Sequence, residues 1–289
     1  MRLISVLIIT LVSLLFLTSC GSTVPQKQAA YNFQTGISEL NWKFLTNSPP
    51  EKIYPYSGFK MILMLDNQAA YPLTNGKVSI VGLDGKYFQL DQLEQNFEPL
   101  DGRNLENPLG GQDQLEFSGT AGGLFSSAEE YQGNYFLMLN YNSKVDFVDT
   151  VCMNSHQYDT YDSGCKSNLN NNYPGQGAPL AVTQMEQISY PTQEANGGEV
   201  EFRLRVQNRG RGKVLNATLV EAKIGGEDLY CSFDSSKEQK NSGLNDNKQE
   251  TMLFCKTSVK QDYSYTTPLL ISLSYKYALS ERQRLWLVK

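Results

Sequence analysis

Five cysteines and a single histidine hold most of the reactive chemistry in this sequence of 289 residues. Thiols and an imidazole could ligate a metal or act as nucleophile and base, and thiols can also form disulfides. No two cysteines are spaced C-x-x-C, and His156 has no second histidine to join it, so a metal site is disfavoured. A Ser–His or Cys–His mechanism would have to use His156, which lies in a polar segment near Cys152. We therefore expect an exposed loop histidine and no catalytic site.

Acidic residues could supply oxygen ligands for calcium or the two carboxylates of a glycoside hydrolase. Asp159 and Asp162 are three residues apart, but their segment lacks the Asp-x-Asp-x-Asp-Gly order and a distant bidentate glutamate. An acidic surface turn is therefore favoured there over a metal site. Glycoside hydrolysis needs a cleft that raises the pKa of one carboxyl above that of the other, and nothing in the sequence indicates such a cleft. The other candidate pairs are Glu129 with Glu130 and Asp146 with Asp149.

Tyrosines could form a platform on which sugar rings stack, although tyrosines are also common at the edges and corners of β-sandwiches. The glycine-rich run Gly119 to Gly123 is followed by neither Lys-Ser/Thr nor a helical pattern, so we expect a bulged turn and no phosphate cradle. The tyrosines considered for a glycan platform are Tyr54, Tyr56, Tyr158, Tyr161 and Tyr173.

The overall composition excludes some classes of protein. Hydrophobic residues make up 40%, aromatic residues 11% and charged residues 19%, which is too apolar for a disordered chain. The net charge is −5, whereas a nucleic-acid-binding protein normally carries a basic face or stripe. We therefore expect one or two folded domains and no nucleic-acid partner.

The amino terminus has the pattern of a secretory signal peptide. Arg2 is followed by fifteen uncharged residues, Leu3 to Leu17, which is short for a permanent membrane span. The tetrad Leu17-Thr18-Ser19-Cys20 resembles the lipobox of prokaryotic lipoproteins, in which the cysteine is lipidated and becomes the first mature residue. That resemblance implies a signal peptide at 1–19 and a lipid on Cys20. An uncleaved anchor or an ordinary secretory signal remains the alternative.

With Cys20 assigned to lipid, four cysteines remain, and an even set in an oxidising exterior predicts disulfides. Four cysteines allow three connectivities. Proximity in sequence favours Cys152–Cys165 and Cys231–Cys255, because each pair would close one local loop.

Residues 20–35 are mostly polar and have no regular pattern, so we expect a tether between the lipid and the folded chain. Most of the sequence after this tether has the pattern of β-strands. Short apolar runs rich in β-branched and aromatic residues are bounded by Gly, Pro, Asn or Asp, as in Val200 to Val206, where apolar and charged residues alternate. The polar segment Asn154 to Ala178 has few aliphatic residues and indicates a junction. We therefore predict an all-β chain with two immunoglobulin-like β-sandwich domains in tandem, at 36–152 and 179–289, joined by a disulfide-stiffened junction at 153–178.

The run Val200 to Val214 resembles the second-strand region of prokaryotic Ig-like repeats of the CARDB type, in which a strand ends in Asn-x-Gly. Asn208-Arg209-Gly210 matches that element. The resemblance implies a cell-surface module that displays, spaces or adheres without catalysis of its own. We expect an adhesion, assembly or display module that uses no cofactor. We expect a membrane-anchored, extracytoplasmic protein whose partner is another envelope protein or a glycan. The alternatives are a glycan- or calcium-binding surface lipoprotein and, less favoured, an envelope hydrolase.

Overall fold

The computed structural model describes residues 32–154, 164–167, 169–191, 198–234, 242–259 and 263–289. The regular elements in these ranges are all β-strands, which confirms the all-β sandwich class predicted from the sequence. Within the same ranges, no helix is long and apolar enough to cross a membrane.

Sixteen strands follow one another along the described chain. They are β1 (Leu40–Phe44), β2 (Gly58–Asn67), β3 (Thr74–Val81), β4 (Phe88–Leu90), β5 (Glu94–Phe97), β6 (Gln112–Ala121), β7 (Glu130–Met153), β8 (Asn170–Asn172), β9 (Leu180–Pro191), β10 (Gly198–Asn208), β11 (Lys213–Ile224), β12 (Glu227–Asp228), β13 (Tyr230–Ser232), β14 (Ser242–Asn245), β15 (Glu250–Val259) and β16 (Tyr265–Val288).

The strands form three sheets. The first has the order β1-β2-β6-β4 and the second the order β13-β15-β10-β9-β8. The third is the largest, with the order β12-β11-β16-β7-β3-β5, and β14 also pairs with β11. The large sheet contains strands from both the first and the second half of the chain, and each smaller sheet packs against one part of it. The Tyr135 hydroxyl of β7 contacts Met61 of β2, and the Phe147 ring of β7 meets Tyr173 beside β8.

The centre of the large sheet is a two-stranded antiparallel ribbon of β7 and β16. Each strand has 24 residues, and they pair without a register shift from Glu130 with Val288 to Met153 with Tyr265. At about 3.3 Å per residue, a strand of this length reaches roughly 80 Å. Because neighbouring side chains alternate between faces, one face of the ribbon is directed at the core over most of its length. The buried hydrophobic residues on this face of β7 are Tyr135, Leu137, Leu139, Tyr141, Val145, Phe147, Val151 and Met153.

The ribbon crosses the domain boundaries expected from the sequence. Residues Phe33–Lys289 form one compact unit. The last ten residues of β16, Leu279–Val288, pair with Glu130–Leu139, which the sequence assigns to the other sandwich. The segment expected to be only a junction also contributes to the fold, because it contains β8 and the buried Gln176. The two parts thus share the large sheet.

Because both halves depend on one ribbon, we expect the chain to unfold in a single cooperative transition. Leu137→Ala and Ile271→Ala remove buried side chains of β7 and β16 at distant points of the ribbon. Each should cost about 2–5 kcal/mol and shift the whole transition, as followed by calorimetry and by circular dichroism.

Val148→Ala is the matched control, since it truncates an exposed side chain of β7 and should cost less than about 1 kcal/mol. Two separate transitions, with each substitution moving only one of them, would show that the halves are independent domains.

Candidate functional site

Several residues predicted to carry chemistry lie outside the described residues. These are Cys20, His156, Asp159 and Asp162. The lipid attachment and the acidic turn therefore stay predictions. In the described part of the chain, no three His, Cys, Asp or Glu residues are grouped as they would be around a metal ion.

The four remaining cysteines form two disulfides with the pairing that sequence proximity favours. Cys152 at the end of β7 is joined to Cys165, with 5.8 Å between their Cα atoms. Cys231 of β13 lies directly opposite Cys255 of β15, so this disulfide links two neighbouring strands whose Cα atoms are 4.0 Å apart. Two disulfides are typical of proteins that fold in an oxidising compartment, which indicates an extracytoplasmic location.

Of the acidic pairs considered for hydrolysis, Asp146 and Asp149 do not converge, and Glu129 is bound to Lys289 at 3.2 Å. Asp146 and Asp149 lie on one strand at an odd separation, so their side chains point to opposite faces of β7. Asp146 accepts hydrogen bonds from Ser272 at 2.7 Å and from Lys144 at 3.0 Å. Asp149 accepts one from the Tyr173 hydroxyl. These carboxylates are occupied by partners in the β-sheet and do not face a common cleft.

The tyrosines and glycines considered for ligand binding have mixed roles. Tyr56 is 81% exposed and Tyr54 is 56% exposed, so both are accessible. Tyr173 instead packs edge-on against Phe147, with 4.8 Å between ring centroids, and has a structural role. The bulged turn expected in the run from Gly119 to Gly123 is wrong, because the run forms the end of β6 as far as Ala121 and continues as irregular chain without a turn. Tyr158 and Tyr161 are outside the described residues.

The turn between β10 and β11 is closed by the side chain of Asn208. Its amide oxygen accepts a hydrogen bond from the Gly210 N–H at 3.1 Å, and its amide nitrogen donates to the Gly212 carbonyl at 2.7 Å. A β-carbon on Gly210 would lie 2.2 Å from the Tyr277 hydroxyl, so glycine is required by a close approach. This is the Asn-x-Gly element that carries the resemblance noted in the sequence, and its role in this chain is to shape a turn.

Next to that turn, Glu39, Arg211, Tyr277 and Glu281 form a cluster that we call the waist clamp. The Glu39 carboxylate accepts hydrogen bonds from the Arg211 side chain and from the Tyr277 hydroxyl at 3.0 Å. The Tyr277 hydroxyl in turn accepts the Gly212 N–H at 2.7 Å, and Arg211 also reaches Glu281 at 3.3 Å. Burial, followed by the charge of Glu39, raises the pKa of Tyr277. The clamp ties the segment before β1 to the ribbon and to the β10–β11 turn.

A second buried tyrosine, Tyr71, covers the edge of β7 just past Asn142, where its pairing with the first residue of β3 stops. The Tyr71 hydroxyl donates to the carbonyl of Asp146 and accepts from its N–H, both at 3.1 Å. It therefore occupies the place where a further strand would hydrogen-bond. Burial is the largest cause that raises the pKa of Tyr71 to about 12.

Two of the cavities on the large sheet are lined by several polar side chains. One of about 500 Å³ lies at the start of β16 and is lined mainly by hydroxyls and one carboxylate, which could hydrogen-bond a small polar molecule. Its lining includes Met153, Glu227, Thr257, Ser258, Tyr265 and Thr267. The other, of about 430 Å³, lies at the far end of the ribbon and is lined by Gln132, Asn134, Arg282, Gln283 and Arg284.

Comparisons with known proteins give no family for this chain. No protein-family model matches it, and no curated protein matches it in sequence. Similar solved structures include the secreted serine protease VesC from Vibrio cholerae, at 12% identity over 85% of this chain and 51% of that one, with a TM-score of 0.22. The E. coli chaperone DraB is 11% identical over 75% of this chain and 85% of its own, with a TM-score of 0.20. The collagen adhesin CNA from S. aureus is 9% identical over 89% and 93% of the two chains, with a TM-score of 0.11.

The chain thus spans about half the length of VesC. TM-scores this low carry no argument about fold or function, so the proposals below rest on the residues of this chain.

The waist clamp should stabilise the fold through coupled hydrogen bonds. Tyr277→Phe removes the hydroxyl that serves both Glu39 and Gly212 and should cost about 1–3 kcal/mol of unfolding free energy. In a double-mutant cycle with Glu39→Gln, measured by urea unfolding, the two changes should be non-additive by about 0.5–3 kcal/mol. Tyr230→Phe is the control, because Tyr230 is half exposed. Additive costs would mean that the two side chains act independently.

The raised pKa of Tyr71 predicts a loss of stability at alkaline pH. An unfolded tyrosine ionises near pH 10, whereas Tyr71 in the folded chain keeps its proton to about pH 12. The folded state therefore binds more protons in this window, and stability is complete below pH 10 and falls as the pH rises toward 12. The slope of the unfolding free energy against pH measures the difference in bound protons between the unfolded and folded states. Tyr71→Phe should reduce that difference by up to about one proton between pH 10 and 12.

An equal slope in the wild-type chain and in Tyr71→Phe would contradict the role given to burial.

Proposed function

We propose that this chain is a lipid-anchored cell-envelope protein that works as a non-catalytic adhesion, assembly or display module. The observation that carries the proposal is the ribbon of β7 and β16, whose 24 paired residues make a stiff element of roughly 80 Å. A continuous hydrogen-bonded ribbon at the centre of a sheet resists bending between the two parts of the chain. Such an element suits a protein that holds a binding surface at a distance from its anchor.

The proposed anchor is a lipid on Cys20, at the end of the apolar amino-terminal run. Of the predicted tether, residues 21–32 would give the folded unit reach from the membrane, since they are polar and precede the compact unit that begins at Phe33. The two disulfides support the extracytoplasmic side of the membrane as the place where the chain folds.

A non-catalytic role is supported by the way the reactive side chains are used. The carboxylates of Asp146 and Asp149 bind neighbouring strands, and Glu39 is held by the waist clamp. All four cysteines after Cys20 are in disulfides, which removes them as nucleophiles. A partner protein is favoured over a glycan because Tyr173, one of the proposed stacking residues, is committed to packing within the fold.

Lipidation can be tested by expressing the full chain in bacteria with an alkyne-tagged fatty acid. We expect the wild-type chain to carry the label and to partition into the membrane fraction. Cys20→Ser should be unlabelled while keeping both disulfides, as checked by mass spectrometry of tryptic peptides. Ser19→Ala is the control, because it alters the same segment and keeps the thiol. An unlabelled wild-type chain, or label that survives in Cys20→Ser, would refute the anchor.

A further inference from the structure

The far end of β16 has one side without a strand partner. On one side β16 pairs with β7 along its whole length. On the other side β11 pairs only with Leu269–Ala278, and a single bridge joins Leu287 to Ile53. On this second side, between these two partners, no described strand pairs with Ser280–Arg284. We call this segment the open edge.

Hydrogen bonds at the end of β16 show which backbone groups point away from β7. The Ile53 N–H donates to the Trp286 carbonyl at 2.9 Å, and the Ile53 carbonyl accepts from the Val288 N–H at 2.9 Å. In an antiparallel strand, alternate residues direct their N–H and C=O to opposite sides. Trp286 and Val288 direct these groups away from β7, and so do the residues that precede Trp286 at intervals of two. The N–H and C=O groups of these residues are therefore presented at the open edge. They are Ser280, Arg282 and Arg284.

The side chains at the open edge are polar and positively charged. Ser280, Arg282 and Arg284 are all exposed. Both arginines line the cavity of about 430 Å³, together with the amides of Gln132 and Asn134 and with Gln283. Among the described residues, neither guanidinium has a carboxylate within salt-bridge distance. The inward-facing neighbour Glu281 is by contrast bound to Arg211 at 3.3 Å.

We propose that the open edge binds an extended acidic segment of a partner envelope protein, which adds to the large sheet as a strand. The unpaired N–H and C=O groups would hydrogen-bond the backbone of the partner. Carboxylates at alternate positions of the incoming strand would meet Arg282 and Arg284, because alternate side chains share a face. β11 and Ile53 bound the space at its two ends, so the segment that pairs is about five residues long.

A second copy of this chain fits the open edge poorly. Two copies paired antiparallel about Arg282 would set the two Arg282 side chains opposite each other, and like charges directly opposite are destabilising. The arginines thus select against self-pairing and for an acidic partner. This inference rests on the proposed function and refines it by giving the surface and the chemistry of the partner.

The test uses the purified full chain in detergent and a labelled peptide, acetyl-Thr-Glu-Val-Glu-Val-Glu-Thr-amide. Fluorescence anisotropy gives the affinity, and hydrogen exchange followed by NMR reports the amides of β16. In the free chain, the Gln283 N–H should exchange slowly because it faces β7, whereas the Arg282 and Arg284 N–H should exchange fast. The peptide should protect both arginine amides.

Variants and control peptides separate strand addition from simple charge attraction. Arg282→Glu with Arg284→Glu should weaken binding by about tenfold or more. The matched control is Lys166→Glu with Lys248→Glu, which makes the same change in net charge at exposed sites away from the open edge and should leave binding unchanged. A peptide methylated at every backbone nitrogen keeps its carboxylates but cannot donate to a strand, and it should not bind.

Four outcomes would overturn the proposal. These are no binding of the acidic peptide, equal binding of the methylated peptide, binding without protection of Arg282 and Arg284, and protection of these amides in the free chain as its concentration rises. The last result would identify a second copy as the occupant. Fatty-acid labelling is independent of all four, so a failure at the open edge is distinguishable from a failure of the lipid anchor.

Discussion

The antiparallel pairing of β7 with β16 is the interaction on which the rest of the structure depends. Both smaller sheets pack against a large sheet that has this ribbon at its centre. The final strand of the chain completes the sheet that the first half begins, since Leu279–Val288 pair with Glu130–Leu139. Neither half has a complete large sheet without the other. Unfolding one half would expose the ribbon residues that the other half buries, which couples the two energetically.

A long ribbon also creates edges, and the chain treats them in different ways. β7 has β3 beside it only up to Asn142, and beyond that point the Tyr71 hydroxyl occupies both backbone groups of Asp146. The β10–β11 turn is likewise held against the ribbon by Glu39 and Tyr277. At Ser280–Arg284 no described side chain plays the same part. A buried polar hydroxyl fits an edge that is permanently closed, whereas exposed arginines fit an edge that is open to water or to a partner.

The sequence predicts the strand class well because alternation and β-branched runs are local signals. Val200 to Val206 forms the middle of β10, and both disulfide pairings follow from sequence proximity. The sequence does not reveal that β7 and β16 are each one uninterrupted strand of 24 residues. Polar residues at Asn142 and Ser143 look like a break, but the Ser143 hydroxyl donates to the Pro72 carbonyl and the strand continues. Partners that lie far away in sequence satisfy such groups, so local patterns cannot identify them.

The same limitation hides the open edge, because its Ser-Glu-Arg-Gln-Arg sequence is polar throughout and lacks the alternation of apolar and polar residues that indicates a strand. Even an exposed ion pair contributes only about 0–1 kcal/mol, and Arg282 and Arg284 form none with the described residues. The two arginines therefore add little to the stability of the fold. Ion pairs of these arginines become stronger if a partner strand excludes water from them while its backbone hydrogen-bonds to the open edge. In that arrangement the backbone groups supply most of the affinity, and the guanidinium groups decide which sequences bind. The chain is acidic overall, with a net charge of −5, so this local positive charge also directs an acidic partner to the open edge.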